Sequence, residues 1–342
     1  MSKARIDVHQ HIVPPFWAEA LSAHGGDPSG WSSPAWTPEN AIDFMDSQRI
    51  AMGILSLTAP GVTGWQGAAR RDMARRVNEF GAQVVARRPD RFGGFATLPL
   101  PDVDGALREL EYAFDTLNAD GVVLLSNYAG HYLGDPAFGP LWAELERRSA
   151  VVFIHPAKPA IPVIVGMPGP IVDYPFDTTR TAVQLVLNGV ITRCPGVEII
   201  LSHAGGFLPY AAHRFAELAP TVRTDVPATA ELLESFRSFY FDTALSSSPA
   251  SLLALQSFAR PGHILYGSDF PYASASIGAS FTAKLDAFEN LSRETRTAID
   301  NGGARKLLPR LSTDAAGYRV PLYRRPTSAT GARERPKHAQ EE

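Results

Sequence analysis

Eight short apolar runs recur along the chain, each separated from the next by a longer stretch that includes helical patterning. They are RIDVH (5–9), MGILSL (52–57), FGGFATL (92–98), DGVVLLS (120–126), AVVFIH (150–155), VEIILSH (197–203), FYFDTA (239–244) and HILYGSD (263–269). Most are too apolar on both faces to be half exposed, as suits parallel strands buried on both sides. Between them, TPENAIDFMDSQR opens with Thr37 as an N-cap and Pro38 at the first helical position. RRDMARRVNEFGAQVVARRP is amphipathic and stops at Pro89. DVDGALRELEYAFDTL, DPAFGPLWAELERRS, DTTRTAVQLVLNGVITRCP and SPASLLALQSFA each begin with a capping-type residue and carry apolar residues at helical spacing. Eight strands alternating with helices over about 300 residues predict an α/β chain folded as a (β/α)8 TIM barrel. The competing doubly wound sheet lacks support: no Gly-x-Gly-x-x-Gly follows the first strand, and there is no phosphate loop.

Two long loops distort the expected barrel. One, 12–36, follows the first strand and carries Trp17, Trp31 and Trp36; the other, 156–177, is rich in Pro and Gly and follows the fifth. From Pro326 the sequence PTSATGARERPKHAQEE is polar and uneven, which predicts a disordered tail (326–342) behind a single domain (1–325). A net charge of -3 gives no basic surface for nucleic acid. No run approaches the roughly 18 apolar residues needed to span a bilayer. The N-terminus runs straight into a strand without a secretory apolar core, so a cytoplasmic protein is expected. The single cysteine, Cys194, excludes an intrachain disulfide and a Cys-based metal cluster.

In a barrel the C-terminal strand ends converge on one site. The first strand ends in His9 and His11, the fifth in His155, the sixth in His203 and the eighth in Asp269. Side chains i and i+2 on a strand share a face, so His9 and His11 project together. Neutral imidazoles so placed suit one divalent cation. His9, His11, His155 and Asp269 are the expected ligands of one ion, zinc first and manganese as the alternative. His203 remains as an acid/base beside it, or as a further ligand. Such an ion can lower bound water from a pKa of 15.7 to about 7. Asp242 ends the seventh strand and either contacts the site or bonds structurally. Asn127 and Tyr128 end the fourth and are candidate substrate contacts. No Gly-x-Ser-x-Gly elbow marks a serine hydrolase.

DVHQHIVPP, FIHP, IILSHAGGFLPYAAHR and ILYGSDFPY, in that order at the strand ends, resemble the amidohydrolase superfamily over roughly residues 5–310. The likeness is to the branch that holds the aminocarboxymuconate-semialdehyde and hydroxybenzoate decarboxylases. YPFDTTRTAVQLVLNGV and FYFDTALSSSP look most like its 6-methylsalicylate decarboxylases. The resemblance implies metal-dependent, non-oxidative decarboxylation of a hydroxylated aromatic monocarboxylic acid. Asp269 or His203 would protonate the ring, and no redox cofactor or pyridoxal phosphate would be needed. Dinuclear relatives carry a carbamylated lysine at the end of the fourth strand; GVVLLSNYAG has none, which favours one metal. The muconate-semialdehyde enzyme carries arginines after its first strand to grip a second carboxylate; 12–48 has none here, which favours a less acidic substrate. Trp36 and its neighbouring tryptophans would suit an aromatic ring. Arg214 matches an arginine that reaches into the neighbouring subunit's site, which implies a homodimer. A lactonase-type hydrolase or hydratase on the same scaffold is the alternative. A non-enzymatic metal-binding protein is disfavoured, because all five site residues are present.

Overall fold

All eight apolar runs form strands: β1 (Arg5–His11), β2 (Ile50–Ser56), β3 (Phe92–Thr97), β4 (Gly121–Leu125), β5 (Val151–His155), β6 (Glu198–Leu201), β7 (Tyr240–Asp242) and β8 (Ile264–Leu265). The computed structural model describes residues 5–311 apart from Pro162. The expected tail at 326–342, and the end of the expected 1–325 domain, lie outside the described residues. Each strand pairs in parallel with the next in chain order. The ring closes through the segment beyond β8. Val8 N–H donates to Tyr266 O (3.0 Å), Asp269 N–H to His9 O (2.8 Å) and His11 N–H to Phe270 O (2.8 Å). The chain is a (β/α)8 barrel.

Ten of its helices are α1 (Pro15–Ala23), α2 (Pro38–Ser47), α3 (Gly67–Arg87), α4 (Val103–Asp115), α5 (Gly139–Arg147), α6 (Gly169–Leu187), α7 (Leu208–Val222), α8 (Thr229–Arg237), α9 (Pro249–Phe258) and α10 (Ala275–Ala287). At the start of α2 the Thr37 hydroxyl accepts from Asn40 N–H (3.1 Å), and Asn40 Oδ1 accepts from Thr37 N–H (3.0 Å). This reciprocal cap is worth about 1 kcal/mol. Two departures from the sequence reading have local causes. α1 lies inside the first long loop, started by Pro15 at its N1 position. α6 begins at Gly169 rather than Asp177, because Pro170 in its first turn and Pro175 a turn later disguise the helical pattern.

The apolar core has two parts. Ile6, Val8, Ile54, Phe95, Val123, Phe153, Ile200 and Leu265 fill the barrel, and Leu307, Leu308 and Leu311 pack with them. A larger shell between strands and helices includes Phe44, Leu110, Leu145, Leu185 and Phe236. Each fully buried aliphatic or aromatic side chain contributes about 1.5–3 kcal/mol. Among the described residues, no helix is long and apolar enough to cross a membrane.

Candidate metal centre and active site

β1 carries the feature that builds the site. Its pairing with β2 slips between Asp7 and Gln10: Asp7 faces Gly53 and Gln10 faces Leu55, so three steps on β1 match two on β2. The extra residue is a bulge, which lets neighbouring residues face the same way. Val8 therefore packs in the barrel core, while the His9 ring also points inward, edge-on to Phe153 at 4.9 Å. The Asp7 carboxylate staples the bulge. It accepts from His9 N–H (3.0 Å), Gln10 Nε2 (2.9 Å) and Ser268 N–H (3.0 Å), tying β1 to the chain that delivers Asp269. Burial raises Asp7 to about 6 despite these bonds.

Four ligand atoms converge above the core. His9, His11, His155 and Asp269 are all buried, and one donor atom from each lies within 4.8 Å of the other three. His9 Nε2 is 3.0 Å from His11 Nε2 and 3.2 Å from Asp269 Oδ1, which is itself 3.0 Å from His11 Nε2. Donors about 2.1 Å from one ion stand about 3 to 3.4 Å apart, from right-angled to tetrahedral coordination. The other edge of each ring is committed. His9 Nδ1–H donates to Asp242 Oδ2 (2.6 Å), His11 Nδ1–H to Ser56 O (3.2 Å) and His155 Nδ1–H to Pro156 O (2.8 Å). Those acceptors place a proton on Nδ1 of each ring and leave Nε2 as the ligand atom, with Thr58 Oγ1 3.3 Å from that of His155. The four residues fit a single divalent metal.

The electrostatics agree. Burial alone would lower His9, but the Asp242 and Asp269 carboxylates overcome it and raise the imidazole to about 10. Burial pushes His11 down, and burial with the other histidines pushes His155 well down. Burial alone would raise Asp269, yet His9, His11 and His203 hold it well below the usual carboxylate range. The cluster favours cationic charge at His9, between two carboxylates, and disfavours it on His11 and His155.

His203 sits beside this group, with Nε2 3.5 Å from Asp269 Oδ2. It begins the HAGG turn, where His203, Ala204, Gly205 and Gly206 all have positive φ (52°, 57°, 70° and 64°). Two non-glycine residues in that region cost about 1–2 kcal/mol each. Both glycines are required: a Cβ on Gly205 would lie 2.8 Å from the Phe241 ring, and one on Gly206 would lie 2.0 Å from Pro175 O. Asp242 holds the turn, since its Oδ1 accepts from His203 N–H (2.9 Å) while its Oδ2 orients His9. It therefore both touches the ligand set and bonds structurally. Asp269 is likewise left-handed, at φ 63°. Strain at these positions marks a site whose geometry is held by its surroundings.

A cavity of about 330 Å³ opens over the group, lined in part by His155, His203 and Asp269. Its walls are largely aromatic and aliphatic, with Trp31, Tyr174, Tyr272 and Phe281 prominent. Asp27 and Trp31 come from the loop after β1, and Tyr174 comes from α6. Gly169 N–H donates to Ser29 O (3.0 Å), so the two long loops are joined over the site. No arginine or lysine lines the cavity among the described residues.

The family model described as "Amidohydrolase" matches residues 6–310. The chain belongs to the amidohydrolase family. This amidohydrolase is 47% identical over 320 residues to a 6-methylsalicylic acid decarboxylase from Penicillium expansum, covering 90% of this chain and 97% of the relative. A solved 2,6-dihydroxybenzoate decarboxylase from Rhizobium superposes with a TM-score of 0.74 at 25% identity, covering 90% of this chain and 99% of that one. A dihydroxybenzoic acid decarboxylase from Polaromonas, solved with bound manganese, shares the fold with a TM-score of 0.73 at 24% identity, covering 91% and 98%.

Other expected contacts lie elsewhere in the amidohydrolase. Trp36 is buried in the outer core, with Phe80 at 6.3 Å, and does not line the cavity; Trp31 does. Asn127 and Tyr128 do not line it either. The chain turns after β4 into a hairpin of two-residue strands, Asn127–Tyr128 and His131–Tyr132. Asn127 Nδ2 is spent on Asp177 Oδ2 (2.7 Å) and Lys158 O (3.2 Å), and the Tyr128 hydroxyl accepts from Leu125 N–H (3.0 Å). Arg214 is exposed on α7. Asp7 and Asp177 were not among the residues singled out from the sequence. The alternation in IDVHQH places Asp7 beside the ligands, but only the bulge shows that it staples them.

Proposed function

We propose that the protein is a metal-dependent, non-oxidative decarboxylase of hydroxylated aromatic monocarboxylic acids of the 6-methylsalicylate type. The observation that carries this reading is the His9–His11–His155–Asp269 group opening into an aromatic cavity that no arginine or lysine lines among the described residues. The relative from Penicillium supports the substrate class. A substrate carboxylate then has the ion as its counter-charge, and a second carboxylate would find none and would meet Asp27. When bound, the ion supplies Lewis-acid polarisation of the substrate's carboxylate and adjacent phenolic oxygen.

The ring sits among Trp31, Tyr174 and Tyr272. Direct loss of carbon dioxide would leave an aryl carbanion, so protonation of the carboxyl-bearing carbon comes first. His203 and Asp269, 3.5 Å apart, are the two groups that can pass it a proton; Asp269 is held ionised by the imidazoles, so it must first take up a proton from the substrate or solvent. Asp242 holds His203 through its backbone and His9 through its ring. Three imidazoles and a carboxylate suit zinc, which we take as the resident ion; manganese at equal stoichiometry would keep the site and change the metal. Incubating the zinc-loaded protein with a panel of ortho-hydroxy aromatic acids and lactones tests the reading. Carbon dioxide released from the hydroxy acids is expected. Lactone hydrolysis with no carbon dioxide would select the hydrolase alternative.

The protein acts as a cytoplasmic homodimer in this reading. Tyr210, Arg214, Leu218 and Val222 recur every fourth residue of α7, along one stripe. Tyr210 and Val222 are 86% and 82% exposed, and Phe207 stacks on the half-exposed Phe176 beside them. The exposed Tyr210, Leu218 and Val222 around Arg214 support reading this face as a contact surface. Arg214 would then face a neighbour's cavity. Mixed dimers of His9→Ala and Arg214→Ala chains test this, since one of their two sites carries neither defect. Recovered activity is expected; a fully active monomer would contradict it.

A further inference from the structure

The third imidazole ligand, His155, ends a strand and precedes Pro156 at the start of a long loop, so something must hold it. Ser126, the residue after β4, does so from the side. Its N–H donates to His155 O (2.8 Å), and its Oγ accepts from Ala157 N–H (2.9 Å). The clamped segment includes Pro156, whose carbonyl accepts from His155 Nδ1–H and so aims Nε2 at the metal position.

The Ser126 hydroxyl has one proton, and that proton goes to Asp177 Oδ2. With the proton drawn to Asp177, the oxygen's lone pairs remain to face Ala157. Asp177 is fully buried on α6. It also accepts from Asn127 Nδ2 (2.7 Å) and from the Tyr132 hydroxyl (2.6 Å), and its nearest cation, Arg180, stands 3.9 Å away. A buried carboxylate satisfied mainly by neutral donors needs each of them.

We propose that Asp177 and Ser126 are positioning residues for the metal, acting on His155 through the 155–157 backbone. The proposal rests on the reading of His155 as a ligand. Three branches leave the same carboxylate, and the Asn127 branch also reaches the loop beyond His155, at Lys158 O (3.2 Å). The Ser126 branch leads to His155; the Tyr132 branch leads away from it, to the outer hairpin. That difference separates positioning from plain stability.

The test measures zinc affinity by chelator competition on wild-type, Ser126→Ala, Asp177→Asn and Tyr132→Phe proteins, with visible spectra of the cobalt-substituted forms. Loss of an outer support of a ligating histidine typically costs 10–100-fold in metal affinity. Ser126→Ala and Asp177→Asn are expected to weaken zinc binding at least about tenfold and to shift the cobalt spectrum. Tyr132→Phe, which loses a bond to the same carboxylate, is expected to stay within about threefold with an unchanged spectrum. Equal effects of all three variants, or no effect of the first two, would overturn the proposal. If Asp177→Asn fails to fold, Ser126→Ala against Tyr132→Phe decides alone. Wild-type protein that takes up no ion would overturn the metal reading itself, before any variant is made.

Discussion

The two ends of the barrel both collect charged side chains, and they treat charge in opposite ways. At the N-terminal end Arg5 and Arg310 close on carboxylate partners. Arg5 bonds Asp286 and, at 3.1 Å, Asp300; Arg310 Nε and Nη2 grip Asp120 at 2.7 and 3.0 Å. At the C-terminal end three imidazole Nε2 atoms and a carboxylate face one point, with their other edges already spent. The first arrangement is complete as protein and holds the fold. The second is complete only with a cation, and it holds that geometry with left-handed residues and a strand bulge. The contrast matches the general division of labour in these barrels, where one end serves stability and the other chemistry.

If the division is real, variants at the two ends must separate activity from stability. The largest effect belongs to the ligands: His9→Ala or Asp269→Ala should lower carbon dioxide release by more than about a thousandfold and remove most of the metal. Full metal occupancy in both would break the comparison. Next, removing the ion with a chelator should abolish turnover, and zinc should restore it. Ion at about 100 times its dissociation constant stabilises the fold by about 2.7 kcal/mol, so the chelated protein should melt lower. At the other end, Arg5→Met leaves Asp300 without its guanidinium, and burial already raises that carboxyl. Such a variant should lose about 3 kcal/mol in denaturant unfolding while kcat stays within about twofold.

The smallest effect is on the outer surface. Arg147 and Arg148 lower Glu144 to about 2. A depressed carboxyl stabilises the folded state above its ordinary range, and that contribution fades as pH falls from about 4.5 towards about 2. The melting-temperature difference between wild type and Glu144→Gln should therefore be present at pH 7, shrink across that window, and never alter turnover at neutral pH.

The barrel was legible because its strands are buried on both faces, which forces short continuous apolar runs. The grouping of His9, His11, His155 and Asp269 was legible because chemistry-bearing residues at strand ends have only one place to meet. Loop and post-strand residues were not. Trp31 and Trp36 lie five positions apart in a segment with no period, and nothing in the sequence says which one faces the cavity. Asn127 and Tyr128 follow a strand end, but the chain reverses there, and the reversal gives their polar atoms protein partners. Asp177 reads as one more polar helix residue until α6 turns it towards Ser126. The bulge in β1 left no composition signal, yet it lets Val8 and His9 face inward together.

The central claim is ring protonation at a metal site, and one measurement meets it directly. The zinc-loaded protein is incubated with 6-methylsalicylate in deuterated water, and carbon dioxide and the isotopic content of the phenol are measured together. One deuterium at the former carboxyl carbon for each carbon dioxide released, and neither after chelation, is the predicted result. Carbon dioxide released at an equal rate by chelated protein, or product without that deuterium, would contradict the account.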